Sequence, residues 1–67
     1  MSGQEALDRI LTVPETAEYL QMSKSKVYAM IQRREIPHLK IGRNVRIRRG
    51  DLLKWLEEQA QPTREIL

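Results

Sequence analysis

The sequence contains no cysteine, which excludes a disulfide framework and a thiolate metal site and suits a reducing compartment. It contains a single histidine, His38. With nothing to orient that imidazole, no Ser-His-Asp arrangement can be assembled, and neither a catalytic nor a metal-binding role is expected of it. No apolar stretch approaches the roughly 18 residues of a membrane span. The opening Met1-Ser2-Gly3-Gln4-Glu5 lacks the basic and apolar regions of a signal peptide. A cytoplasmic protein with no membrane partner is expected. Aromatic residues are sparse, with two tyrosines, one tryptophan and no phenylalanine. That is too few to stack the bases of a single strand. The chain has 67 residues, enough for one domain. A domain of this size buries only about 60% of its unfolded surface, leaving no room for a substrate cavity beside a core. No enzyme, cofactor or small-molecule substrate is expected.

What is present is an uneven charge. Residues 1–22 carry Glu5, Asp8, Glu15 and Glu18 against Arg9 alone. Residues 51–67 carry Asp51, Glu57, Glu58 and Glu65 against Lys54 and Arg64. Between them, residues 23–50 carry Lys24, Lys26, Arg33, Arg34, Lys40, Arg43, Arg46, Arg48 and Arg49 against Glu35 alone. A basic middle between acidic flanks is an oriented patch of the kind that meets polyanions, although a merely solvated surface has the same composition.

Hydrophobic spacing and capping residues divide the chain. Ala6, Leu7 and Ile10 have helical spacing in a short, uncapped segment, so residues 1–10 read as a flexible arm. Thr12 followed by Glu15 three residues later is a capping box, and Pro14 falls in the first turn, where its missing N–H costs nothing. This helix buries Val13, Ala17 and Leu20 and ends near Leu20 or Gln21. Ser23 caps a second helix from Lys24 to about Arg33, ended by Glu35-Ile36-Pro37. On it Val27, Met30 and Ile31 fall within about 100° of one another and form the buried stripe. Ser25, Ala29 and Gln32 lie opposite, flanked by Tyr28 and Arg33. From Leu39 the period changes to two. Leu39, Ile41, Val45 and Ile47 alternate with Lys40, Arg46 and Arg48 around a turn at Gly42-Arg43-Asn44. The expectation is a two-stranded hairpin with one apolar face, packed on the helices, and one basic face. Leu52, Trp55 and Leu56 then mark the inward stripe of a third helix opening at Gly50-Asp51 and stopped by Pro62. Residues 11–60 form the domain. Residues 61–67 are a tail whose Ile66 and Leu67 are available to a partner surface.

Helix, three-residue turn, helix, basic hairpin, helix is the order of parts, with small Ala17 where the first two helices cross. The run Thr12-Val13-Pro14-Glu15-Thr16-Ala17-Glu18-Tyr19-Leu20, then Ser23-Lys24-Ser25-Lys26-Val27-Tyr28, resembles the excisionase-type DNA-binding domains of the MerR-like winged helix-turn-helix superfamily. So does Ile36-Pro37-His38-Leu39-Lys40-Ile41-Gly42-Arg43-Asn44-Val45-Arg46-Ile47, followed by Asp51-Leu52 and Trp55-Leu56. Such domains often place Gly where this chain has Gln21, which must adopt a left-handed conformation or reshape the turn.

The resemblance implies a mainly α fold with a small β-hairpin and sequence-specific binding of double-stranded DNA. It places Ser23, Lys24, Ser25, Tyr28, Ala29, Gln32 and Arg33 of the second helix at the major groove. Arg43 would enter the adjacent minor groove, with Lys40, Asn44, Arg46 and Arg48 on the wing beside it. Two of these residues have a plainer role open to them, Ser23 as a helix cap and Tyr28 as cover for the core edge, and Lys26 and Arg34 of the basic middle have a plain reading as solvated charges. His38 lies at the strand start, within reach of a phosphate. The function implied is that of an excisionase-like accessory factor, phage-borne or on a mobile element, nucleoid-associated, bending DNA with an integrase or a second copy on adjacent sites. A small transcriptional regulator uses the same chemistry. A protein-interaction adaptor using the third helix and tail has no need of the basic middle.

Overall fold

The computed structural model describes residues 9–60. The proposed arm up to Asp8 and the tail 61–67 lie outside the described residues. The elements in chain order are β1 (Ile10–Leu11), α1 (Val13–Leu20), α2 (Lys24–Gln32), β2 (Leu39–Ile41), β3 (Asn44–Arg48) and α3 (Arg49–Gln59).

Each of the first two helices starts on the cap that its sequence supplies. The Glu15 backbone N–H donates to Thr12 Oγ1 at 3.2 Å, and the Thr12 N–H donates to Glu15 Oε1 at 2.9 Å. Two otherwise unpaired donors are thus satisfied reciprocally. The hydroxyl of Thr16, a fully buried polar side chain, donates to the Thr12 carbonyl at 2.9 Å. In α2 the Ser23 hydroxyl accepts from the Lys26 N–H at 3.1 Å.

Both helices also end in the same way, and without glycine. Gln21 follows α1 at φ 58° and Arg34 follows α2 at φ 59°. After α1, the Met22 N–H reaches the Ala17 carbonyl at 2.9 Å and the Gln21 N–H reaches Glu18 at 3.1 Å. After α2, Glu35 reaches Met30 at 2.9 Å and Arg34 reaches Ile31 at 3.0 Å. These are paired Schellman closures, which need a left-handed residue just past the helix. Gln21 therefore takes the left-handed conformation, and the turn is not reshaped. The end of α2 falls where expected, but its cause is Arg34, before Pro37 has any say.

Ile10 belongs to the sheet and not to an arm. Ile10–Leu11 pairs antiparallel with β3, giving three strands in the order β1-β3-β2 where two were expected. The hairpin also has a different register from the expected one. Leu39 pairs with Arg46, Lys40 with Val45, and Ile41 with Asn44. The turn is thus the two residues Gly42-Arg43, with Gly42 alone at positive φ, the pattern of a II′ turn. A three-residue turn would have set Ile41 opposite Val45 and Leu39 opposite Ile47, collecting the apolar residues on one face. Shortening the turn by one residue moves β2 to the other phase.

Directly paired residues share a face. One face therefore carries Leu11, Val45, Ile47 and Lys40; the other carries Ile10, Leu39, Ile41, Asn44, Arg46 and Arg48. Ile47 is fully buried whereas Ile41 is 56% exposed, which fixes the first face as the inner one. The core joins Leu11 and Ile47 of the sheet to Val13, Ala17, Val27, Met30, Ile31, Ile36 and Leu52. Leu20, Met22, Val45, Trp55 and Leu56 pack on it, partly buried. Trp55 is thus a half-covered lid on the core, and its indole N–H donates to the Glu35 carbonyl at 2.9 Å.

Candidate nucleic-acid interface

The buried stripe of α2 is Val27, Met30 and Ile31, so the helix presents its remaining residues outward. Lys24, Ser25, Lys26, Tyr28, Gln32 and Arg33 are exposed, and Ala29 is half-buried. A small residue at Ala29 between Ser25 and Gln32 leaves that face without a projecting obstacle. Ser23 is a cap, its hydroxyl already accepting a backbone N–H.

The C-terminal end of α2 opens into a cleft beside the wing, of about 620 Å³, lined by Ile31, Gln32, Arg34, His38, Lys40, Arg43 and Val45. Three separate segments contribute to it: the end of α2, the connection to β2, and the hairpin. No acidic residue lines it. Lys40 reaches it because the register places this lysine on the inner face with Val45, at an edge strand beyond the core. Arg34 reaches it from the left-handed closure of α2. His38 Nδ1 lies 3.1 Å from the Ile36 carbonyl, where a donated N–H leaves Nε2 as the other ring nitrogen. The chemistry on offer is a set of positive and neutral donors around a polar trough, suited to an anionic backbone.

The residues expected of the wing do not stay together. Arg43 and Lys40 join the cleft, whereas Asn44, Arg46 and Arg48 lie on the outer face of the sheet. Arg48 Nε is 3.4 Å from Asp51 Oδ2 at the start of α3. Arg46 donates to the Val45 carbonyl at 2.8 Å. The expected all-basic outer face is instead a mixture of these two arginines with Ile10, Leu39 and Ile41. Arg33 is engaged by Glu35, with guanidinium–carboxylate contacts of 2.9 and 3.3 Å. That hydrogen bond holds the Glu35 carboxyl below its ordinary range and raises Arg33. Arg49 sits 5.7 Å from the Tyr19 ring centroid, and its backbone N–H donates to the Arg9 carbonyl at 2.8 Å. It ties the sheet to α1.

Arg34 is the cleft residue that sequence spacing did not single out. Its position follows from a positive φ that no residue type at 34 announces. Among the described residues no group of three His, Cys, Asp or Glu side chains is placed to hold a metal ion, and no helix is long and apolar enough to cross a membrane.

A family model described as a helix-turn-helix domain matches residues 10–60. The chain belongs to this family. The matched segment contains both capped helices, the whole sheet and all of α3. Two proteins of Mycobacterium tuberculosis, one from strain CDC 1551 / Oshkosh and one from strain ATCC 25618 / H37Rv, are similar to it, and both are provisionally named DNA-binding proteins. Each is 36% identical over 47 residues, covering 70% of this chain and 60% of the relative. This helix-turn-helix chain therefore spans about three-fifths of the length of the curated relatives it matches. No solved structure matches it significantly.

Proposed function

We propose that this helix-turn-helix domain binds double-stranded DNA, with α2 in the major groove and the wing tip reaching the neighbouring groove. The observation that carries this reading is the cleft where Gln32, Arg34, His38, Lys40 and Arg43 converge with no carboxylate among them. It continues the exposed Ser25–Gln32 face of α2, so one surface offers base-edge donors and, at its end, a seat for a phosphate strand. Gln32 suits adenine, and Arg43, on the exposed turn, suits a narrow minor groove. The DNA-binding names of the two relatives agree with this reading.

The same proposal extends to biological role through the excisionase-type motifs. A domain of this kind acts architecturally, binding adjacent sites and bending DNA so that an integrase favours excision, and it needs no chemistry of its own. A shift of integrase products toward excision on adding the protein supports that role, and unchanged products with intact DNA binding reject it.

DNA binding itself is tested by titrating duplex DNA across a range of salt. Lys24, Lys26, Arg34, Lys40 and Arg43 are the cations set around α2 and the cleft, so log K should fall against log salt with a slope of about −4 to −5. Lys40→Ala and Arg43→Ala should each flatten the slope by about 1, while Arg48→Ala, on the outer face, should leave it unchanged. A slope near zero rejects DNA binding. A normal slope that responds to Arg48→Ala and ignores Lys40→Ala keeps DNA binding but moves the interface to the outer sheet face.

A further inference from the structure

The one histidine of the sequence lines the basic cleft, and its ring is tied down on one side. His38 Nδ1 lies 3.1 Å from the carbonyl oxygen of Ile36, a buried core residue. A carbonyl only accepts, so the proton of this contact sits on Nδ1. Pro37 stands between acceptor and donor, and its ring fixes one of the backbone torsions that the contact spans. The neutral imidazole therefore carries its single proton on Nδ1 and offers Nε2 as a bare lone pair. Toward a phosphate oxygen that lone pair is acceptor against acceptor. Only the imidazolium, with a proton on each nitrogen, donates from Nε2 while keeping its bond to Ile36.

The charges around His38 come from several elements. In the cleft it meets Arg34 from the closure of α2, Lys40 from β2 and Arg43 from the turn, while β3 contributes only uncharged Val45. On its other side a hollow of about 380 Å³ adds Glu35, whose carboxylate is already held by Arg33 at 2.9 and 3.3 Å. Asp51, Lys54 and Glu58 of α3 line a separate hollow against Pro37, of which His38 is not a part. Within the cleft an imidazolium thus has three cations for neighbours and no carboxylate to pair with. A DNA strand seated there supplies the missing anion. Resting on the reading of this surface as a DNA interface, we propose that His38 binds a backbone phosphodiester through Nε2 as the imidazolium, so that DNA binding takes up a proton at this ring. A ligand that favours the protonated state is itself bound more tightly by that state, so affinity rises as pH falls.

The test is the affinity of the full chain for one duplex at about pH 6 and about pH 8, at constant salt. With a single histidine and no cysteine, no other side chain of ordinary pKa changes charge over this range. The parent should bind about tenfold more tightly at the lower pH, the scale of one charge-assisted contact. His38→Gln keeps a polar side chain that does not titrate, and its affinity should be the same at both pH values. Nitrogen NMR shifts of the imidazole read the parent directly. The neutral ring of the free protein should be protonated on Nδ1 and bare on Nε2, and the ring in the low-pH complex should be protonated on both. DNA binding of equal strength at the two pH values, or the same pH dependence in His38→Gln, overturns the proposal and leaves DNA binding standing. So does a free neutral ring protonated on Nε2, which donates to phosphate without taking up a proton. No binding at either pH overturns this inference together with the DNA reading beneath it.

Discussion

Two residues, Gln21 and Arg34, hold left-handed backbone conformations that cost a non-glycine residue about 1–2 kcal/mol each. Glycine removes that cost but brings back roughly 0.5–1 kcal/mol of chain entropy. Gln21→Gly should therefore raise stability by up to about 1 kcal/mol in urea denaturation, with DNA binding intact. Arg34→Gly should raise stability similarly while weakening DNA binding, because Arg34 also lines the cleft. A variant that is more stable and binds less well separates the two roles of this position; equal affinity for parent and variant would remove Arg34 from the interface. The alternatives at Gln21 were visible in the sequence, since an ordinary residue stands where a helix closure favours glycine. Those at Arg34 were not, because Pro37 three residues later offered a sufficient local reason for the helix to stop. The Ser23 cap and the α2 core stripe were legible because each depends on contacts within one or two turns.

Among the elements, α1 rests most on its own sequence. The Thr12 backbone N–H that closes the capping box is the main cause holding the Glu15 carboxyl below its ordinary value of 4.5, with Arg9 adding to it. A depressed carboxyl contributes stability above its unfolded pKa, and that contribution is lost as pH falls through the folded value. Thermal melts should therefore show a loss of stability below about pH 4.5 that is smaller in Glu15→Gln, at the expense of lower stability at neutral pH. Equal acid sensitivity in both proteins would show that the loss arises elsewhere. The sheet is the element least determined by its own residues. Alternation in Leu39–Ile41 and in Val45–Ile47 was plain, but which apolar residues share a face depends on the turn length. Gly42-Arg43-Asn44 is compatible with two or three loop residues, and one residue of difference exchanges the faces of β2. Ile47→Ala should cost about 2–5 kcal/mol from the fully buried inner face, whereas Ile41→Thr on the outer face should stay within about 0.5 kcal/mol. Comparable losses at both positions would restore a single apolar face.

At the scale of the molecule, α3 is joined to the helix-turn-helix through Leu52, fully buried, and through the Trp55 N–H on the Glu35 carbonyl. Trp55→Phe keeps most of the apolar contact and deletes that donor, so it should cost about 1 kcal/mol. Trp55→Ala also removes the lid over Met30 and Leu56 and should cost more, in denaturant melts of the same chain. If the two variants are equally stable, the ring contributes nothing beyond its hydrogen bond. The family, the order of the three helices and the hairpin, the caps, the buried stripe of α2 and the presence of a basic surface were all determined by the sequence, because each follows from residues close together along the chain. The third strand, the division of the wing cations between Lys40 and Arg43 on one side and Arg46 and Arg48 on the other, and the meeting of Arg34 with them in one cleft were decided only by the tertiary structure. Those features depend on strand register and on a left-handed helix closure, and both are selected by what the whole fold buries and pairs. Neither is fixed by the local pattern.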